Sequence, residues 1–173
     1  MFSDEKRSGT LEVLLTKPIT ELQIAVAKFL SAVVLVLLSL IPSLIYFYSV
    51  YTLGNPAGNV DMGGTMGSFI GLFFLASVYA AIGIFASSLT DNQIIAFLLA
   101  TVLCFFFYLG FEYIGALALF GSLEEMILSL GINEHYKSIS RGVVDLKDIT
   151  YFLCVIALFI VFTRTVIQSR KWK

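Results

Sequence analysis

Few side chains in this sequence are of the types that perform chemistry, and those few are scattered. One carboxylate, Glu112, lies inside a long apolar stretch, and the chain has one histidine, His135, and two cysteines, Cys104 and Cys154. A carboxylate in such a stretch is often functional, so we weigh a pathway-lining role for Glu112 against interfacial or helix packing. His135 has no second histidine or cysteine near it, which favours packing or surface exposure over metal binding. The cysteines are interpreted as small buried hydrophobic residues.

The sequence contains none of the motifs on which hydrolases, metalloproteases and nucleotide-binding proteins depend. It has no Gly-x-Ser-x-Gly elbow and no His-Glu-x-x-His pair. The glycine-rich segment Gly54–Ser68 is not followed by the lysine of a phosphate-binding loop. We therefore expect no catalytic residue, no metal site and no cofactor bound by this chain.

Four long apolar stretches must position these side chains. A bilayer core of ~30 Å needs roughly 20 helical residues. The composition is 58% hydrophobic and 13% charged, whereas soluble domains have about 45–50% and 25%. The stretches are continuous rather than alternating, so we predict an all-α integral membrane protein with four transmembrane helices. A net charge of −1 argues against nucleic acid as a partner. The stretches are Phe29–Leu53, Phe69–Leu89, Ile94–Phe120 and Ile149–Ile167.

The basic residues predict the orientation of these spans. Four spans place both termini on one side of the membrane. Eight of the 11 basic residues lie on that side, and the other three lie in the loop Gly121–Asp148. Basic residues concentrate on the cytoplasmic side of membrane proteins, so we expect both termini in the cytoplasm.

The polar segment before the first span contains a helix start. Pro18 interrupts the short amphipathic piece that precedes it, because proline disfavours helix at the residue before it. Thr20–Gln23 then forms a capping box that begins an amphipathic helix running towards Lys28. Two interpretations stay open: a simple turn into the membrane, and a docking element for a cytoplasmic partner. Thr90–Gln93 is a second capping box and is predicted to begin the third span.

The loop before the last span is expected to hold two short helices. Ser122–Glu125 is a third capping box, Asn133–Arg141 forms a second short piece, and Asp145 is placed to cap the last span. Short amphipathic helices between two spans favour a re-entrant or membrane-surface segment in the outer leaflet. A folded extracellular loop is the alternative.

Two sequence segments carry a family resemblance. Asp4–Glu12, followed by Leu14–Pro18, strongly resembles the corresponding region of permease subunits of type-2 ABC transporters. His135–Asp145, running into Tyr151–Leu153, resembles the outer re-entrant region and final span of the same family. The similarity extends over essentially the whole chain, and it is greatest to bacterial permeases associated with gliding motility.

The resemblance implies a partner and a mechanism. Such permeases have six spans, form homo- or heterodimers and dock on two ATP-binding subunits, which carry the ATP and Mg²⁺. This resemblance implies an exporter subunit in the bacterial plasma (inner) membrane. The chain has four spans, so by comparison it lacks the first two and resembles a fragment, a truncated gene product or a degenerate copy.

The resemblance also assigns roles along the chain. It implies a cytoplasmic gate and coupling segment over residues 1–28, a transmembrane domain over 29–167 with an outer re-entrant segment at 121–148, and a cytoplasmic tail over 168–173. The short coupling helix of the family matches residues 18–27. The implied ATPase-coupling residues are Pro18, Ile19, Thr20, Glu21, Leu22, Gln23 and Ile24, and the implied gate residues are Glu5, Lys6, Arg7 and Glu12.

Two other functions compete with an ABC permease. A secondary transporter or channel would work without an ATPase, and such proteins often have charged groups near the centre of the bilayer or broken helices. Only Glu112 and the proline inside the first span, Pro42, point that way. The other competitor is a membrane anchor that transports nothing and belongs to a larger assembly.

Overall fold

Helices form nearly all of the described structure. The computed structural model describes residues 2–16, 18–56, 58–116 and 124–170, and this part of the chain contains no β-strand. In chain order the helices are α1 (Phe2–Arg7), α2 (Thr10–Leu15), α3 (Glu21–Leu53), α4 (Met62–Leu89), α5 (Gln93–Phe105), a π-helix (Phe106–Gly110), α6 (Phe111–Ala116), α7 (Glu124–Leu128), α8 (Ile132–Ser140) and α9 (Leu146–Arg170).

Four helical units in this part of the chain are long and apolar enough to cross a membrane. They are α3, α4, the unit Gln93–Ala116 formed by α5, the π-helix and α6, and α9. The shortest, Gln93–Ala116, has 24 residues, or about 36 Å at ~1.5 Å per residue, which exceeds the ~30 Å bilayer core. The predicted all-α membrane fold with four spans is confirmed. The predicted last residues of the third span lie outside the described residues.

The bundle has two ends, which we call proximal and distal. The proximal end carries α1, α2, the start of α3 and the α4–α5 turn. The distal end carries the α3–α4 loop, α7, α8 and the start of α9. The capping box Ser122–Glu125 includes residues outside the described part. The two short distal helices, α7 and α8, agree with the prediction of helical structure in this loop.

The local sequence explains where most spans begin. Thr20 caps α3: its Oγ1 accepts the Gln23 N–H at 3.3 Å, and Gln23 Oε1 accepts the Thr20 N–H at 3.0 Å. The predicted capping box is therefore present. Asp145 caps the start of α9, as predicted, by accepting the Lys147 N–H at 3.3 Å.

The predicted cap of the third span is wrong. Asn92 caps α5 through its side chain, which accepts the Ile94 N–H at 2.9 Å. Thr90 instead ends α4, and its Oγ1 accepts the Asn92 N–H at 3.2 Å. Asn is as good an N-cap as Thr, so the residue nearer the first apolar turn takes the role.

The coupling helix is not a separate element. We expected it to cover residues 18–27 ahead of a span beginning at Phe29, but α3 runs without a break from Glu21 to Leu53. No glycine or proline lies between Thr20 and Pro42, so nothing in the sequence ends the helix at the membrane edge. A force on the first turn of α3 therefore acts on the whole span.

Helix α4 lies at the centre of the bundle. It packs against α3, α5, α8 and α9, and it contributes the buried residues Val78, Ala81 and Ile82. Stacked rings of Phe74 and Phe152, with centroids 5.7 Å apart, join α4 to α9. The other spans expose many apolar side chains, which costs nothing where the surroundings are lipid tails. Cys154 is one of these exposed residues, so its predicted burial is wrong.

The distal end is packed backbone against backbone. A Cβ added to Gly67 of α4 would lie 2.3 Å from the carbonyl oxygen of Ile139 in α8. Gly142, just after α8, has φ +88°, and a Cβ there would lie 2.7 Å from the carbonyl carbon of Gly63. Glycine therefore permits α8 to lie directly on α4.

Candidate functional site

Helix α1 lies at the proximal end against the ends of the spans. Phe2 and Ser3 are buried. The Phe2 side chain belongs to an apolar cluster with Ile24 of α3 and Ile84 of α4. The backbone N–H of Ser3 donates to Ser87 Oγ at 3.0 Å. This burial anchors a six-residue helix that would not be stable alone.

Polar contacts tie α1 to three spans, and we call the residues that make them the proximal clasp. Asp4 Oδ1 accepts from Gln93 Nε2 at 2.7 Å. Glu5 pairs with Lys28 of α3, and Lys6 donates to the Ser88 carbonyl and lies 3.8 Å from Asp91. The clasp comprises Ser3, Asp4, Glu5, Lys6, Lys28, Ser87, Ser88, Asp91 and Gln93.

The electrostatics of the clasp follow from its position. The Lys6 side chain is only 3% exposed and meets the carboxyl end of α4, where free carbonyls and the helix dipole favour a cation. The Lys28 ammonium lies 4.7 Å from the centre of the Phe2 ring, a cation–π contact that adds to its pairing with Glu5. Both lysines are thus held by groups that attract cations.

The predicted gate residues divide into two kinds. Glu5 and Lys6 belong to the clasp, whereas Arg7 and Glu12 are exposed. Sequence reasoning missed the distant partners of α1, such as Gln93, which donates to Asp4. The polar segment Thr90–Gln93, between the second and third spans, was the available signal. Polar residues at the edge of a membrane need hydrogen-bond partners, and another polar segment of the chain can supply them.

The predicted coupling residues form an exposed corner at the start of α3. Pro18, Ile19, Thr20, Leu22 and Gln23 are exposed, Glu21 is half-buried and Ile24 is buried. Ile19 and Leu22 are 39% and 40% exposed. They precede the first predicted membrane residue by seven residues or more. Apolar side chains exposed beside a membrane, rather than within it, are typical of a protein contact.

Glu112 lies at the distal end against α8. Its Oε2 accepts from Asn133 Nδ2 at 2.5 Å, and its Oε1 accepts from Lys137 Nζ at 3.3 Å. These contacts join the third span to α8. The arrangement favours the helix-packing interpretation of Glu112 over the pathway-lining one.

His135 is buried between α8 and α9. Its Nδ1 lies 2.7 Å from Asp148 Oδ1, its Nε2 lies 2.9 Å from the Ser129 carbonyl oxygen, and its ring stacks on Tyr151 at 3.9 Å. A carbonyl only accepts hydrogen bonds, so Nε2 carries a proton. The Nδ1 atom of the ring faces the buried Asp148 carboxylate. The packing role is the one that this geometry favours, and no group of three metal-binding side chains occurs among the described residues.

Two adjoining cavities run along α4. One, of about 350 Å³, is lined by Tyr79 of α4 and by Thr101, Cys104 and Tyr108 of the third span. The other, of about 410 Å³, lies nearer the proximal end, and its lining includes Gly83. The π-helix adjoins the first cavity, and π-turns are frequent at functional sites. No motif in the sequence indicates these cavities, because residues of different helices line them.

Comparison with known proteins gives the family. A family described as ABC-2 family transporter protein matches residues 1–168. No curated protein and no solved structure matches the chain. The family match spans nearly the whole chain, and the four membrane-length helices fit a permease. This protein therefore belongs to the ABC-2 transporter family and is a membrane permease subunit of an ABC transporter.

Proposed function

We propose that the chain is the permease of an exporter in the bacterial plasma membrane, driven by a separate ATP-binding subunit that docks on residues 18–24. One observation carries the proposal. Ile19 and Leu22 are exposed at the proximal end, on a capped helix start that continues into α3. The ATP and Mg²⁺ belong to the partner subunit.

Helix α3 would act as the lever. It is one continuous helix from Glu21 to Leu53, so a push on its first turn would tilt the span. The clasp ties α3 to α4 and α5 through α1, and the tilt would therefore break or shift these contacts. A ligand changes an equilibrium only by its different affinity for the two states. The closed ATPase would favour the packing in which the clasp is open.

The cavities along α4 are our candidate for part of the transport path. The cavity nearer the proximal end lies between α3, α4 and the third span, and both cavities are lined mainly by aromatic and small side chains. Rearrangement of α3 would change the width of the cavity nearer the proximal end. The lining of both cavities suits an apolar substrate.

Coupling is tested by placing a charge at Leu22. The permease with its ATP-binding subunit would be purified as Leu22→Glu, and as Val143→Glu for a matched control at an exposed distal site. A buried charge at a docking contact costs enough to weaken binding about tenfold. We expect Leu22→Glu to lose copurification and permease-dependent ATPase activity, whereas Val143→Glu keeps both.

The outcomes separate the candidate functions. Equal ATPase binding by both variants would contradict the coupling site. If the complex forms but vesicles containing it accumulate no substrate in an ATP-dependent screen, the anchor function is supported instead. Transport that persists without any ATP-binding subunit would support a secondary transporter or channel.

We further propose that both termini are cytoplasmic and that the permease works as a dimer. The basic residues at the termini support this orientation. With Cys104 and Cys154 replaced by alanine, single cysteines at Ser8 and Val143 would be labelled in intact cells with an impermeant maleimide. We expect labelling at Val143 and not at Ser8. The reverse pattern would contradict the orientation.

A further inference from the structure

A third cavity, of about 340 Å³, opens at the distal end between the first turns of α4 and the end of α8. Its lining includes one carboxylate, three aliphatic hydroxyls and two aromatic rings, one of which is a phenol. These groups belong to Asp61, to Thr65, Ser68 and Ser140, and to Phe69 and Tyr136. The volume falls in the range of small-molecule sites, ~300–1,000 Å³. Neither the family match nor the coupling mechanism assigns it a role.

The three aliphatic hydroxyl groups of this cavity already donate their protons to backbone carbonyls. Thr65 Oγ1 donates to the Asp61 carbonyl at 2.6 Å, and Ser68 Oγ donates to the Gly64 carbonyl at 2.8 Å. Ser140 Oγ donates to the Lys137 carbonyl at 3.0 Å. Each hydroxyl has one proton and two lone pairs, so what remains at each oxygen is the capacity to accept.

Asp61 adds a negative charge to the same lining. Its Oδ1 accepts the Gly64 N–H at 3.1 Å as the cap of α4. No ion pair among the described residues involves Asp61. A carboxylate has two oxygens and about four lone-pair sites, so the single capping bond leaves most of its capacity to accept.

A lining of acceptors, one carboxylate and two aromatic rings matches a cation that carries N–H donors. Ammonium groups bind to carboxylates through charge-assisted hydrogen bonds and to aromatic rings through cation–π contacts. An anion would meet no donor from the three hydroxyls. A primary ammonium, with three donors, uses this lining better than a quaternary ammonium, which has none.

The position of the cavity suggests where such a group comes from. Helix α4 has 28 residues, or about 42 Å, which matches the ~40–45 Å of a bilayer with its headgroups. Its first turn, where Asp61 and Thr65 lie, therefore falls in a headgroup layer. Ethanolamine headgroups of phospholipids present primary ammonium groups at this depth.

We propose that this cavity binds a primary ammonium group, carried by an ethanolamine phospholipid of the distal leaflet or by a free amine. Asp61 supplies the charge, the three hydroxyl oxygens accept N–H bonds, and Phe69 and Tyr136 enclose the cation. The site does not depend on the proposed ATPase coupling, because it lies at the opposite end of the bundle.

The test uses the full chain in lipid nanodiscs and a series of headgroups that differ only in N-methylation. Native mass spectrometry would measure retention of phosphatidylethanolamine, its mono- and dimethyl forms and phosphatidylcholine, with phosphatidylglycerol as the anionic comparison. We expect retention to fall with each methyl group. Loss of one charge-assisted bond corresponds to about tenfold weaker binding.

Asp61→Asn is the decisive variant, because asparagine keeps the cap of α4 and removes only the charge. Asp145→Asn is its matched control: it makes the same change at another distal cap, outside the cavity. We expect Asp61→Asn to lose about tenfold in phosphatidylethanolamine retention, and Asp145→Asn to lose none. Ser140→Ala, which removes one acceptor, serves if Asp61→Asn fails to fold.

A second arm distinguishes the two sources. Ethanolamine in solution would be added to the protein in detergent and thermal unfolding followed. Stabilisation by ethanolamine that Asp61→Asn abolishes, without selective lipid retention, assigns the site to a free amine. Equal retention of all headgroups with no effect of ethanolamine would overturn the proposal, as would equal behaviour of Asp61→Asn and Asp145→Asn.

Discussion

The two ends of this bundle are held together by different physical means. At the distal end, Gly67 and Gly142 bring α4 and α8 into backbone contact, and His135 pairs with Asp148 out of reach of solvent. At the proximal end, long side chains reach from α1 to the spans, and Asp91 is 61% exposed. Breaking a buried pair costs several kcal/mol, whereas a partly exposed side-chain pair contributes about 1 kcal/mol or less.

The difference suggests that the two ends have different roles in a conformational change. A permease must keep part of its structure fixed while another part moves between two packings. The distal contacts suit the fixed part, and the clasp suits the moving part. The predictions below test this contrast, from the largest expected effect to the smallest.

The buried pair at the distal end should dominate stability. His135→Leu leaves the Asp148 carboxylate, itself 5% exposed, without its partner. Breaking a buried pair costs about 3–5 kcal/mol. We expect a large fall in Tm of the detergent-solubilised protein. The double variant His135→Leu with Asp148→Leu should recover much of the loss, because no buried charge remains. No recovery would show that the pair is not the source of the effect.

Two glycines of α4 should respond very differently to one added methyl group. At Gly67 a Cβ would clash with α8 at 2.3 Å, whereas at Gly83 no atom lies within 4 Å. Overpacking costs about 1–3 kcal/mol. We expect Gly67→Ala to lower Tm clearly, while Gly83→Ala leaves it unchanged or raises it, since alanine favours a helix. Equal effects at the two sites would contradict the close packing described for the distal end.

The Glu5–Lys28 contact of the clasp should break with little loss of stability. Glu5→Gln removes the ion pair with Lys28, in which the two side chains are 31% and 19% exposed. Partly exposed pairs contribute about 1 kcal/mol or less. We expect a small change in Tm but faster maleimide labelling of a cysteine placed at the buried Ser3. Salt should speed labelling of the Ser3→Cys protein as well, and should matter less once Glu5 is neutral.

The half-exposed pair between Glu112 and Lys137 should have the smallest effect on Tm. Both side chains are close to half exposed, at 49% and 46%, so hydration by water offsets much of the free energy that is lost with the pair. Glu112→Gln keeps an oxygen that can accept from Asn133. We expect Tm to change far less than in His135→Leu. A transport defect without a stability defect would instead support the pathway-lining role.

Some parts of the fold were predictable because short-range physics decides them. The four spans follow from the length and continuity of the apolar stretches, and the starts of α3 and α9 follow from Thr20 and Asp145. The same reasoning placed the cap of α5 at Thr90, two residues before the observed cap, Asn92, because both residue types are good N-caps. The coupling helix, expected as a short element over residues 18–27, is instead the first part of α3, because no residue there ends a helix.

Contacts between distant residues decided the rest. Nothing in the sequence shows that Asp4 meets Gln93, that His135 lies on Tyr151, or that the hydroxyls around Asp61 face one cavity. Periodicity and caps act within a few residues, so the sequence by itself determined the four spans and their membrane character. Only the tertiary structure decided which polar groups meet, because each such pair depends on how whole helices pack along α4.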